Sequence, residues 1–256
     1  MTQQCIWCKK TDVNTAFNKK PHTIPKSMGG KRIGKDVCDE CNLFFGIHDK
    51  LKNPAIEVVL KETFVLTQTM LLHVAPPIKN TKPQKLPRFK SIFFKVKPDK
   101  RTFSLKPAFK HQSGFQKMLC KKLKQGLYKV FLEEFHLEND LGLNSQFDFI
   151  RDFARNNKND LPVYYFERKH GAILSSPNLV LNPRISTFDN KDYIIEKYGF
   201  FEFELLGHVF SIPIKKHPNK EGYLLNWKKL NGDLFYGLRE INYLKDIDFM
   251  LKILVL

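Results

Sequence analysis

Four cysteines stand in two pairs, Cys5-Ile6-Trp7-Cys8 and Cys38-Asp39-Glu40-Cys41, with 29 residues between the pairs. Two residues between thiolates let both sulfurs of one turn reach the same tetrahedral ion, and Zn2+ accepts four thiolates at about 2.3 Å. The spacing predicts a closed structural zinc site, with no coordination position left open for catalysis. A redox pair is the other common use of Cys-x-x-Cys, but no βαβ pattern surrounds either pair. Cys120 falls in a helical stretch and reads as a packed or exposed thiol rather than a ligand.

Between the pairs runs PHTIPKSMGG, residues 21–30, with His22 one residue after a proline and two glycines closing the stretch. Imidazole exchanges a proton near pH 7. His22 is therefore either a catalytic base or an ordinary histidine in a small metal-stapled loop. The second pair is followed at once by Asn42 and then by Phe44-Phe45-Gly46.

Cysteine pairs bracketing His-x-x-Pro-x-Ser-x-Gly-Gly, with Asn and then Phe-Phe-Gly after the second pair, resemble the zinc-stapled HNH endonucleases over about residues 5–46. The resemblance implies a ββα-metal fold, in which a hairpin presents the histidine and a helix begins near the second pair. It casts His22 as the general base that activates water against a phosphodiester. It casts Asn42 as a ligand of a catalytic Mg2+ or Mn2+ that polarises the phosphate and steadies the departing 3′ oxygen. Lys26, Lys31, Arg32 and Lys35 become phosphate contacts, or else an ordinary solvated loop. The family's position before the base carries a second metal ligand, whereas this chain has Pro21, which has no side-chain donor. Asp12, His48 and Asp49 are the candidates to replace it.

Two readings follow. One is a DNA endonuclease, in a restriction or defence setting by analogy with the family. The other is a non-cleaving, zinc-dependent nucleic-acid-binding protein on a degenerate HNH scaffold. An unrelated zinc ribbon is a third. Pro98-Asp99 lacks the downstream acid-x-Lys of a second kind of nuclease core.

Charge favours a nucleic-acid partner in both of the first two readings. The net charge is +17, and residues 76–130 hold sixteen Lys and Arg against one acid, Asp99. Aromatics are interleaved with these cations, Lys95 and Lys97 among them, as expected of a phosphate-backbone binder. A merely solvated lysine-rich surface is the plainer alternative.

The elements that must position these residues are partly legible. Residues 1–56 read as the zinc-bound HNH-like unit, 57–110 as a basic linker and hairpin, and 111–256 as an α+β domain for target recognition or assembly. Residues 56–74 read equally as helix or strand, and the proline-rich 75–90 as an extended linker. Residues 91–106 predict a hairpin turning at Pro98 to Lys100. Phe115, Leu119, Leu123, Leu127, Phe131 and Phe135 recur at i+4 and predict an amphipathic helix over 115–137. A second helix is expected from Ser145, acting as its N-cap. PVYYFE, FFEFELLGHVFSIPI (turning near Gly207) and GYLLNW read as strands of an antiparallel sheet. The apolar C-terminus, 241–256, is either core or a homodimer contact. The chain shows no signal-peptide pattern at its start and no run long enough to span a membrane, so a cytoplasmic protein with reduced thiols is expected.

Overall fold

The computed structural model describes residues 2–47, 53–74, 91–97, 100, 102–110, 114–169, 177–231, 234–249 and 251. The N-terminal unit pairs two short arms: His22 bridges Ile33, Gly34 N–H donates to the Pro21 carbonyl at 2.8 Å, and Thr23 N–H to that of Arg32 at 3.2 Å. Helix α1 (Asp39–Gly46) closes it. There follow α2 (Ile56–Val74), β1 (Phe94–Lys97), β2 (Thr102–Leu105), α3 (Pro107–Lys110), the long α4 (Phe115–Asn139) and α5 (Asp148–Ala154). The rear of the chain adds β3 (Tyr164–Arg168), α6 (Pro177–Leu181), α7 (Lys191–Tyr198), β4 (Phe200–Leu205), β5 (His208–Pro213), α8 (Lys220–Asn231) and β6 (Phe235–Glu240). Strands β1 and β2 form a separate hairpin, and the other four form an antiparallel sheet in the order β4-β5-β3-β6. The fold is α+β with the cysteine unit at its N-terminal end.

Helix α4 is the hub. Its predicted apolar stripe is buried except for half-buried Phe135, but burial wraps further, taking in Lys124, Gln125, Lys129, Glu133, Glu134 and His136. The stripe packs towards α5 and the sheet, as in the contacts of Phe131 with Phe147 and Phe201. Beside the N-terminal half of the stripe lies Gly126, where a side chain would meet Leu60 of α2 at 3.2 Å. That glycine permits close approach of α2 and α4, so it costs the helix some propensity and returns packing. One connected buried cluster runs from Cys5 and Phe45 through Phe64 and Phe131 to Phe210 and Phe249, joining the cysteine unit to the rear of the chain.

Several elements differ from the sequence reading. Residues 56–74 settle as helix, buried over most of their circumference. The second helix, α5, has no side-chain cap: Ser145 opens a 3-10 turn that precedes it, and Asn144 caps that turn by accepting from Gln146 N–H at 2.9 Å. GYLLNW is helical, within α8: Tyr223 and Trp227, four apart, are both buried, and the Asn219 side chain accepts from Gly222 N–H at 3.0 Å. The sheet's edge strand is instead β6, which the sequence reading missed. Gly207, at φ 81°, makes the β4–β5 turn as anticipated. At the C-terminus Ile247, Phe249 and Leu251 are core, and 252–256 lie outside the described residues. No helix among the described residues is long and apolar enough to cross a membrane.

Candidate functional site

The two cysteine pairs converge. All four sulfurs lie within 4.8 Å of one another, and Cys8 Sγ is 3.6 Å from Cys38 Sγ. Four thiolates at 2.3 Å from a tetrahedral Zn2+ stand about 3.8 Å apart, so the cluster has the right size. The first turn is shaped by Lys9 at φ 58°, which lets Cys5 N–H reach the Lys10 carbonyl at 2.9 Å. The second is the start of α1, with Cys38 as N-cap. Cys38 N–H points to Cys5 Sγ and Arg155 Nε to Cys41 Sγ, each at 3.4 Å, the kind of donor a bound thiolate accepts. Without a cation the four thiols cannot all ionise. A hydrogen bond from Cys41 pulls Cys5 down to about 5, whereas that same bond drives Cys41 upward and burial raises Cys8 to about 11. A dication removes that conflict.

The hairpin arms between the pairs are shaped by Gly29 and Gly30. Gly29 is left-handed at φ 96°, and a Cβ there would lie 1.9 Å from the Leu181 carbonyl oxygen. A Cβ on Gly30 would lie 2.0 Å from the Ile24 carbonyl oxygen. No other residue fits either place, which explains the glycine pair in physical terms.

His22 sits on the first arm, half-buried. Its Nδ1 is buried and has no hydrogen-bond partner among the described residues. Its backbone carbonyl is held by Lys129 Nζ of α4 at 2.8 Å. Lys129 itself is fully enclosed and reaches the Thr23 carbonyl at 3.3 Å, Glu133 Oε2 at 2.9 Å and Glu57 Oε1 at 3.0 Å. Trp7 Nε1 donates to the other Glu133 oxygen at 3.0 Å. Thr23 Oγ1 donates to Glu134. Arg151 of α5 closes the far side, donating from Nε to the Ile6 carbonyl. None of Lys129, Glu133, Arg151 or Arg155 was singled out from sequence.

The other anticipated residues are placed as follows. Asn42 lies in the first turns of α1, half-buried, directly after Cys41. Lys26 and Lys31 are exposed. Arg32 is paired with Glu134 and lies 3.6 Å from Glu138, and Lys35 is paired with Asp140, so both face the end of α4. Lys95 and Lys97 are exposed on one face of β1, opposite Ser104 and Thr102 of β2. Asp12 Oδ2 accepts from Gln3 N–H at 3.2 Å. His48 and Asp49 lie outside the described residues, as does the linker at 75–90. Among the described residues, the four cysteines are the one group of three or more His, Cys, Asp or Glu placed to hold a metal. Hard divalent ions take several oxygens. Pro21 offers none and Asn42 one neutral amide, so these two positions do not fit a catalytic Mg2+ or Mn2+.

The N-terminal unit is thus a hairpin carrying a histidine, followed by a helix and brought together at a four-cysteine cluster of the size that suits zinc. Residues 5–53 match the family model described as HNH endonuclease. No curated protein and no solved structure matches the chain.

Proposed function

We propose that the protein is an HNH-type DNA endonuclease in which His22 is the general base. The observation that carries the reading is the His22 ring: it stands on the HNH-matched hairpin with Nδ1 buried and unpartnered. Leaving a buried polar atom unsatisfied costs about 1–3 kcal/mol, and such atoms in native proteins mark places completed by water or substrate. A neutral imidazole nitrogen there takes the proton from a water as its oxygen attacks phosphorus and the 3′ oxygen departs. Lys129, through the His22 carbonyl, fixes the arm that carries the ring. The zinc holds the two ends of the unit together and takes no part in the chemistry. Exposed Lys26, Lys31, Lys95 and Lys97 supply phosphate contacts, and a single unit cuts one strand, so double-strand cleavage takes a homodimer or two successive nicks. A restriction or defence role is the setting that family analogy suggests.

Pro21 favours a second reading, a DNA-binding protein that keeps the scaffold and has lost cleavage. A cleavage assay on supercoiled plasmid separates the two, with wild type and His22→Ala in Mg2+, Mn2+ and EDTA and DNA retention followed in parallel. The endonuclease reading expects nicking that disappears in His22→Ala while retention persists. Retention without nicking under every condition would replace it with the second reading.

A further inference from the structure

Helix α4 treats its lysines in two ways. Lys124 pairs with Asp160 at 2.7 Å, and Lys129 is neutralised by Glu57 and Glu133. On the two preceding turns Lys117, Lys121 and Lys122 have no carboxylate partner among the described residues, and Lys121 Nζ reaches only the Asn157 carbonyl, at 3.4 Å. All three line one cleft of ≈ 700 Å³ between α1, the start of α2 and α4. No acidic side chain lines it among the described residues. The facing wall is apolar: Leu43, Phe44 and Ile47, from the end of α1 and just beyond it, are 37%, 37% and 59% exposed. Met118 and Ile56 complete that surface.

Phe44 is not loose in this wall. The Arg155 guanidinium lies 4.1 Å from its ring centroid, and Phe45 packs against it edge-on. Arg155 also reaches Cys41 Sγ at 3.4 Å, so the ring's position is tied to the metal cluster. The amides of Asn53, Gln125 and Asn157 stand on the lining. A second cleft of ≈ 430 Å³ adjoins the first and shares Lys117 and Lys121 with it. That second cleft also holds Asp160, paired with Lys124, so the cations without a carboxylate partner end at the two shared lysines.

An aromatic and aliphatic wall opposite unpaired ammonium groups matches a nucleotide, whose base has an apolar face and whose phosphate is an anion. The volume is within the roughly 300–1,000 Å³ of small-ligand sites. Purely apolar partners leave three cations unmatched, and cationic ones are repelled. Burial lowers the Lys122 pKa, as expected of an ammonium that lacks a counter-charge.

We infer that the cleft between α1 and α4 is a binding pocket for one unpaired nucleotide of a nucleic-acid strand, its base against Phe44 and its phosphates on Lys117, Lys121 and Lys122. This deepens the nucleic-acid reading above and rests on it. The pocket gives the nuclease-like unit a means of favouring substrates with a flipped, mismatched or single-stranded base, for which unstacking costs least.

The test uses the full-length, zinc-loaded His22→Ala protein and a single-stranded oligonucleotide carrying one 2-aminopurine. Stacking of the probe in the pocket quenches its fluorescence, and the signal does not depend on cleavage. Phe44→Leu, which keeps apolar bulk but not the ring, is expected to abolish most of the quenching and weaken binding about fivefold or more. Lys121→Ala/Lys122→Ala, at exposed or half-buried helix positions, is expected to weaken binding and flatten its salt dependence with the melting temperature retained. Absence of quenching, or quenching unchanged in both variants, overturns the pocket. Efficient competition by an uncharged apolar peptide, with no effect of the lysine changes, would assign the cleft to a protein partner and overturn it too. A wild type that never cleaves DNA defeats the endonuclease reading but leaves this result standing.

Discussion

Lys129 Nζ donates to the backbone carbonyl of His22 at 2.8 Å, although Lys129 lies on α4, 107 residues further along the chain. The same ammonium is the centre of a buried cluster with Glu133 and Glu57, and Glu133 is in turn anchored by Trp7 beside the first cysteine pair. The HNH-matched unit thus rests on α4 through charge and hydrogen bonds as well as apolar packing. Lys129→Met removes the cation and leaves Glu133 enclosed without compensation. Breaking a buried pair in this way costs about 3–5 kcal/mol. A clear fall in melting temperature is expected, and Lys129→Met/Glu133→Leu should recover part of it, because the buried Glu133 charge is gone while Glu57 and the Trp7 N–H lose their partners. The hold on the His22 carbonyl is not recovered, so the double variant is predicted to be stable but impaired in any reaction that uses His22. Full activity in that double variant would show that the carbonyl contact has no positioning role.

Zinc removal is expected to do more than loosen a loop. Structural zinc contributes about 10–16 kcal/mol of apparent binding energy in small peptides, as much as the total stability of a typical domain. The protein should carry one zinc per chain by elemental analysis, and none in Cys38→Ala. Hydrogen exchange after chelation is predicted to lose protection first over the hairpin at 21–34 and over α1. It should then spread to α4 through the Trp7 contact and to α5 through the Arg151 contact. Unchanged exchange over α1 in the zinc-free protein would refute the four-cysteine site.

The surface cations should separate into two groups. Lys95 and Lys97 project from β1 into solvent beside Ser104 and Thr102. Replacing both with Ala is expected to reduce the slope of log K against log salt for DNA binding by up to about 1.8, at roughly 0.9 per phosphate neutralised. Arg32 is different: its partner Glu134 is buried, so Arg32→Ala leaves a carboxylate stranded and should lower the melting point with little change in slope. Lys35 and Asp140 are both exposed enough that solvent screens their pair and it adds little to stability. An unaltered slope in the β1 variant would remove that hairpin from the DNA-contacting surface.

What was legible in the sequence was local. Cys-x-x-Cys spacing fixes which sulfurs share an ion, because a two-residue turn sets their separation. The i+4 stripe from Phe115 to Phe135 announces a helix in the same way. Lys129 carries no such mark: it is one lysine among many on α4, and only contacts from Glu57 and His22, far away in sequence, pull it inside. The basic stretch was therefore over-read as surface at Lys124 and Lys129. GYLLNW was read as a strand from its strand-forming residues, although Tyr223 and Trp227 satisfy a helical period. Tertiary packing of both rings decided it. Arg155 had no signal at all, since its targets, Cys41 Sγ and the Phe44 ring, become neighbours only when α5 docks.

His208 makes acid stability a sharp prediction. Its ring is fully enclosed, with Nε2 2.6 Å from Thr67 Oγ1 and Phe64, Tyr165, Phe210 and Phe249 around it. Burial, with a smaller contribution from nearby Arg168, pushes its pKa down to about 3. In the unfolded chain histidine titrates near 6.5. Between these two values the unfolded state binds a proton that the folded state refuses. The folded state is thus at full advantage above about pH 6.5 and loses it as pH falls toward 3, at up to about 1.4 kcal/mol per pH unit. Glu133 acts in the opposite sense: burial raises it to about 7, so its contribution declines as pH rises from the ordinary carboxylate value of 4.5 toward 7. His208→Phe keeps the aromatic packing and removes the titration. Its absolute stability differs through the lost Thr67 contact, but its melting temperature should fall less steeply than wild type between pH 6.5 and pH 4. Parallel melting curves across that window would mean that another group governs acid unfolding.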